Sequence, residues 1–236
     1  MNNISVVIVF ICLMSVLKYF EDRFCLACLS YGRKITSVVI GATVISLFTE
    51  LLDSIYTGIH ETNKLLVLIL PISFILFFFL HRHIYQHKDS QRQSNELNTV
   101  VKTAMSFSDV LIGILAVSQV RNNLLSEFIF LGILLSYELI EQLSFHIIHE
   151  KKSSQKMCSQ LQKIFLSIWP LLGFLYAYFI GVSEMITTVL LAIYGGIVFS
   201  IIVREIFSQE RKILPVYFLA GTSSFILLFF INIFIL

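Results

Sequence analysis

The stretch "SYELIEQLSF", residues 136–145, sets Glu138 and Glu141 three residues apart in an otherwise apolar run, with no lysine or arginine between Arg121 and Lys151. That spacing puts both carboxylates on one face of a helix. A third acid, Asp109, interrupts the apolar segment "MSFSDVLIG" of residues 105–113, with Ser106 three residues before it. Ionisable groups in apolar surroundings face a cavity, pair with each other or hold a cation, because an isolated charge there is too costly to leave bare. Three carboxylates can share protons or bind a metal. Carboxylate oxygens with a serine hydroxyl form a hard ligand set, suited to Mn²⁺, Mg²⁺ or Fe²⁺ and tolerable for Zn²⁺. The bland alternative is a set of protonated acids hydrogen-bonded between helices, with Lys102 reaching toward Asp109.

The elements that must position these acids read as apolar helices. The 236-residue chain is 57% hydrophobic and only 14% charged, with 22 phenylalanines against three prolines, which excludes an ordinary soluble domain. A helix crossing a ~30 Å hydrocarbon core needs about 20 apolar residues. Apolar runs near 4–20, 35–52, 65–80, 103–120, 124–145, 164–182, 185–203 and 214–236 predict eight transmembrane spans in one all-α membrane domain, residues 1–236. A cytosolic loop over residues 81–98 divides three spans from five. The first run reads as a retained span and not a cleaved signal peptide, since its positive charge follows the apolar residues and no small-x-small site comes after it.

Loop charge checks the count independently, because Lys and Arg concentrate on the cytosolic side. With both termini outside, the inside loops hold 15 of the 17 basic residues, Lys18 among them, and the outside loops hold only Lys64 and Arg121. Losing or adding one middle span would invert every later loop and destroy that segregation. The near-balanced formal charge of +2 gives no sign of a nucleic-acid partner.

Depth and facing then bring the acids together. Asp109 lies seven residues above Lys102, and Glu138 and Glu141 lie seven and four above Phe145, so at ~1.5 Å per residue all three share one level. Glu138 and Glu141 share a stripe with Leu131 and Leu134, while Asp109 shares one with Ser106, Gly113 and Ala116. Gly113 and Ala116 would let a neighbouring helix approach closely, and the short link between spans four and five makes those two antiparallel neighbours with these stripes facing. An internal repeat is also legible. Gly41 stands nine residues before Glu50 in the second span and Gly196 nine before Glu205 in the seventh, and these spans run in opposite directions.

Taken together, this pattern resembles the ZIP (Zrt-, Irt-like protein) family of divalent metal transporters, which has eight spans, outside termini and a histidine-bearing loop after the third span. "MSFSDVLIG" is similar to the family's fourth-span motif, HNxxD or HNxxE, and "YELIE" (137–141) to its fifth-span motif, HExxH or HExxE. Asp109, Glu138 and Glu141 stand at acidic positions of these motifs, while Met105, Ser106 and Tyr137 replace the family's His, Asn and His or Gln. In "SIWPLLG" Trp169 takes the place of a metal-binding acid before Pro170. The resemblance implies a 3+2+3 arrangement with an inverted repeat in the plasma membrane. It also implies inward movement of a divalent cation (Zn, Mn or Fe) through Asp109, Glu138, Glu141 and Ser106. The lipid bilayer is then the surrounding partner, and a homodimer is open to it. A ZIP-like protein without transport, with a regulatory or structural role, is the alternative.

Secondary signals are weaker. His81, His83 and His87, and likewise His146 and His149, sit at cytosolic span ends, where imidazoles can catch a departing metal or simply be solvated. "HIIHE" has its acid after the second histidine and "YELIE" has no histidine, so neither is a zinc-peptidase motif and no enzyme is implied. "CLAC" (Cys25, Cys28) lacks a second CxxC to complete a zinc site. Pro170 removes one backbone hydrogen bond from the sixth span and would kink it near the acids. The expected orientation is checked with an impermeant maleimide applied from outside, which should leave Cys25 and Cys28 unlabelled; rapid labelling of both would invert it.

Overall fold

In the computed structural model, residues 3–20, 32–61, 64–86, 106–118, 128–140, 160–207 and 213–235 are described. Among them the chain is all-α, without a strand. The helices are α1 (Asn3–Tyr19), α2 (Gly32–Ser46), α3 (Leu52–Glu61), α4 (Ile69–Gln86), α5 (Ser106–Ser118), α6 (Phe128–Ile140), α7 (Gln160–Ile180), α8 (Glu184–Phe207) and α9 (Pro215–Ile235). Their β-branched and aromatic content would suit strands, but the runs are continuous and lack period-two alternation, so length favours helix.

One π turn, Leu47–Leu51, joins α2 to α3, so the second apolar run continues to Glu61 and not to residue 52 as its hydropathy suggests. Inside that turn Leu47 and Leu51 are buried and Phe48 is exposed. Two helical stretches are long and apolar enough to cross a membrane, Lys34–Gly58 and Glu184–Arg204. The other apolar stretches extend over 10–17 described residues.

Several hydroxyl side chains are satisfied within their own helices. Thr43 donates to the Val39 carbonyl at 2.8 Å, Ser118 to Ile114 at 2.7 Å, Ser136 to Gly132 at 2.8 Å and Ser200 to Ile197 at 2.7 Å. This back-bonding lets serine and threonine sit on apolar faces without needing water. The α7–α8 link is short and capped from both sides. Gly181 takes the left-handed conformation (φ 74°) and donates its N–H to the Ala177 carbonyl, and Ser183 caps the start of α8.

Helices meet through glycines that let backbones touch. A Cβ on Gly113 of α5 would lie 2.2 Å from the Pro170 carbonyl oxygen and 2.7 Å from the Phe174 nitrogen of α7; one on Gly173 would lie 2.2 Å from the Val110 oxygen. The same geometry recurs between α2 and α9. There a Cβ on Gly41 would meet the Phe218 oxygen at 2.3 Å and the Thr222 nitrogen at 3.2 Å, and one on Gly221 the Val38 oxygen at 2.0 Å. On α8, a Cβ on Gly196 would meet the Ser73 hydroxyl first, and then the Phe74 amide at 2.7 Å and the Leu70 carbonyl at 2.9 Å, all of α4. The helix that meets Gly113 is therefore α7, the sixth run, and Pro170 contributes its carbonyl to the crossing while α7 continues through it as one helix.

These crossings arrange one core. Helix α1 packs on α7, and α8 packs on α3 and α4. Helix α6 reaches α8 through the edge-to-face pair Tyr137–Tyr194, 5.1 Å between centroids, and reaches α2 and α9 where Ile129 and Ile133 meet Phe225, Ala42 and Ile45. Because a methyl group at the α5–α7 crossing must push two backbones apart, Gly113→Ala should destabilise the protein by about 1–3 kcal/mol. Gly132→Ala, where a Cβ would meet nothing within 4 Å, should be neutral or stabilising. Thermal unfolding in detergent checks the pair, and equal effects at both positions would contradict the crossing.

A buried lysine between two carboxylates

The acid-bearing helices deliver their carboxylates to one point inside the core. Asp109 lies on α5 and Glu138 on α6, and neither side chain has any solvent exposure. Between them sits the ammonium of Lys18, from the last turn of α1. Its Nζ lies 2.5 Å from Asp109 Oδ2 and 3.0 Å from Glu138 Oε1, and the lysine is only 4% exposed. Three helices distant in sequence are thus tied through one cation.

The position of Lys18 corrects the sequence reading, which counts it among the inside-loop charges and offers it no part in the acid site. Lys18 is instead the inward continuation of the α1 stripe. Val7, Ile11 and Met14 are each at most 1% exposed, and Lys18 follows at the next position on that face. The i, i+4, i+7, i+11 spacing from Val7 to Lys18 is the signal that would have found it. Lys102 and Glu141 lie outside the described residues, as do Met105, Cys25, Cys28, His87, His146 and His149.

Local structure explains why Asp109 and Glu138 point here. On α5, Asp109 shares its face with Ile112, Gly113 and Ala116, all buried, so the helix turns this side to α7 and the core. On α6, Leu131, Leu134 and Glu138 form one buried stripe, with Tyr137 packed beside it against Tyr194. Ser106 of α5 is half-buried, one turn before Asp109. Trp169, also half-buried, precedes the Pro170 carbonyl that contacts the Gly113 position.

Chemically this is a cation cage with a cation of the protein's own in it. An ammonium offers three donors on a flexible four-carbon stem, and carboxylates accept from it without the planar fork that arginine would require. Lys18 brings one positive charge to two carboxylates. Among the described residues, no three His, Cys, Asp or Glu side chains gather as a metal-binding group. A metal ion taking ligands from both Asp109 and Glu138 would have to occupy the space that Lys18 Nζ fills.

No family model, no curated protein and no solved structure matches the chain.

Proposed function

We propose that the chain is an integral membrane protein of ZIP-like design that moves a divalent metal cation, Zn, Mn or Fe, toward the cytosol through a carboxylate-lined site. One observation carries this reading. Asp109 and Glu138, from separate helices, converge on a fully buried point and hold a cation there, the ammonium of Lys18. The two oxygen ligands and nearby Ser106 favour hard or borderline ions, with Mn²⁺ and Fe²⁺ ahead of Zn²⁺.

The membrane setting is supported by the surface, while eight spans with both termini outside rest on the segregation of basic residues in the sequence. Phe179, Val216, Tyr56 and Leu227 are each more than 60% exposed, and they belong to a wide population of exposed large apolar side chains. Large apolar side chains exposed in such number fit a surface turned to lipid. The inverted repeat is supported by packing, since Gly41 and Gly196 each meet a carbonyl and the amide four residues on, in α9 and α4 respectively. Exchange of the second with the seventh span and of the eighth with the third would carry one crossing onto the other.

A second reading is favoured by Lys18 itself. An ammonium tethered in the cage can hold the site shut, which would make the protein a non-transporting, ZIP-like component with a structural or regulatory role. Uptake by purified protein in liposomes separates the two. Transport predicts entry of Mn²⁺, Fe²⁺ or Zn²⁺ that falls at least about tenfold, the cost of ~1.4 kcal/mol, in both Asp109→Asn and Glu138→Gln. No uptake of any of the three ions would leave the second reading, and uptake untouched by both substitutions would contradict the site.

A further inference from the structure

We infer that Lys18 is a built-in competitor of the cation: its ammonium fills the space between Asp109 and Glu138 when no substrate is bound, and a divalent cation enters only as Lys18 withdraws. This rests on the reading of the two carboxylates as a cation site. Three observations carry it. The ammonium contacts both acids at once, at 2.5 and 3.0 Å, so it stands where an ion bridging them would stand. All three side chains are almost wholly buried, so the ammonium and both carboxylates share one point closed to solvent. Lys18 is also in the last turn of its helix, and its stem has four rotatable bonds to carry the charge out of the cage.

The consequence is a built-in penalty on affinity. A site competent only when its lysine has left binds with its intrinsic affinity reduced by the fraction of time it is free. Lysine also sets a charge requirement. A cation displaces the ammonium only if its attraction to two carboxylates exceeds that of a single charge already in place, which selects divalent over monovalent ions of similar size.

Removing the ammonium should therefore uncover a tighter site. Full-length protein in detergent is melted with and without MnCl₂, using choline chloride to match ionic strength, for wild type, Lys18→Met and the charge-free Lys18→Met/Asp109→Asn/Glu138→Gln. We expect Lys18→Met to bind Mn²⁺ at least about tenfold more tightly than wild type. At a Mn²⁺ concentration ~100-fold above its Kd its Tm should rise by roughly 5 °C or more, and the charge-free variant should not respond. Recovery of folded Lys18→Met only when Mn²⁺ is present during extraction supports the same conclusion. An unchanged Tm for Lys18→Met, or an equal rise in the charge-free variant, would overturn it. So would loss of Lys18→Met under every condition while the charge-free variant folds, because Mn²⁺ would then be unable to replace the ammonium. Wild-type uptake with an unresponsive Lys18→Met would remove the lysine inference alone. Tight Mn²⁺ binding by Lys18→Met without wild-type uptake would remove transport and keep the lysine.

Discussion

A charge cannot stay alone inside a packed apolar core, and the structure depends on how Lys18, Asp109 and Glu138 meet that constraint. Each belongs to a different helix, so satisfying them fixes α1, α5 and α6 against one another at one level. Breaking such a group by deleting one partner costs about 3–5 kcal/mol, a large share of the ~5–15 kcal/mol by which proteins are stable. Replacing all three with apolar residues of similar volume can be neutral. The cluster is therefore better understood as a device that selects one arrangement, or one ligand, than as a source of stability.

The surrounding packing serves that arrangement. Helix α5 can hold Asp109 at the required depth because Gly113 and Gly173 let α5 and α7 touch backbone to backbone. Helix α1 lies on α7 as well, which brings the end of α1 and its lysine to the same place. On the other side Tyr137 locks α6 to α8 through Tyr194, one residue from Glu138. The α2–α9 and α4–α8 crossings, which repeat the same glycine-on-carbonyl contact, complete the wall that α6 packs against.

Much of this was legible in the sequence, for physical reasons that differ from residue to residue. The all-α character followed from long apolar runs without alternation, and the helices cover those runs, though the second continues to Glu61 and the third to Gln86, into residues read as the start of the loop at 81–98. Asp109 and Glu138 stood out because acids are rare in apolar helices, and counting residues from the polar ends put them at one depth. Gly113 announced a close approach, but its stripe was expected to face the fifth run and it meets α7 instead, since small residues say that a helix comes near without saying which. Lys18 was hidden by its place near the end of a span, where a basic residue reads by default as a solvated loop charge. Its helical register with Val7, Ile11 and Met14 held the answer, and a facing test applied to the basic residues as well as the acids would have brought it out.

The pairing of Lys18 with the two acids is tested most directly by a charge exchange. Lys18→Asp and Asp109→Lys each place like charges against one another in the core, whereas the double variant restores one ammonium among two carboxylates with the sites swapped. Thermal unfolding should show both single variants strongly destabilised and the double variant recovering most of the loss, a coupling of several kcal/mol across residues 91 positions apart. A double variant no more stable than the weaker single one would contradict the buried pair and the site built around it.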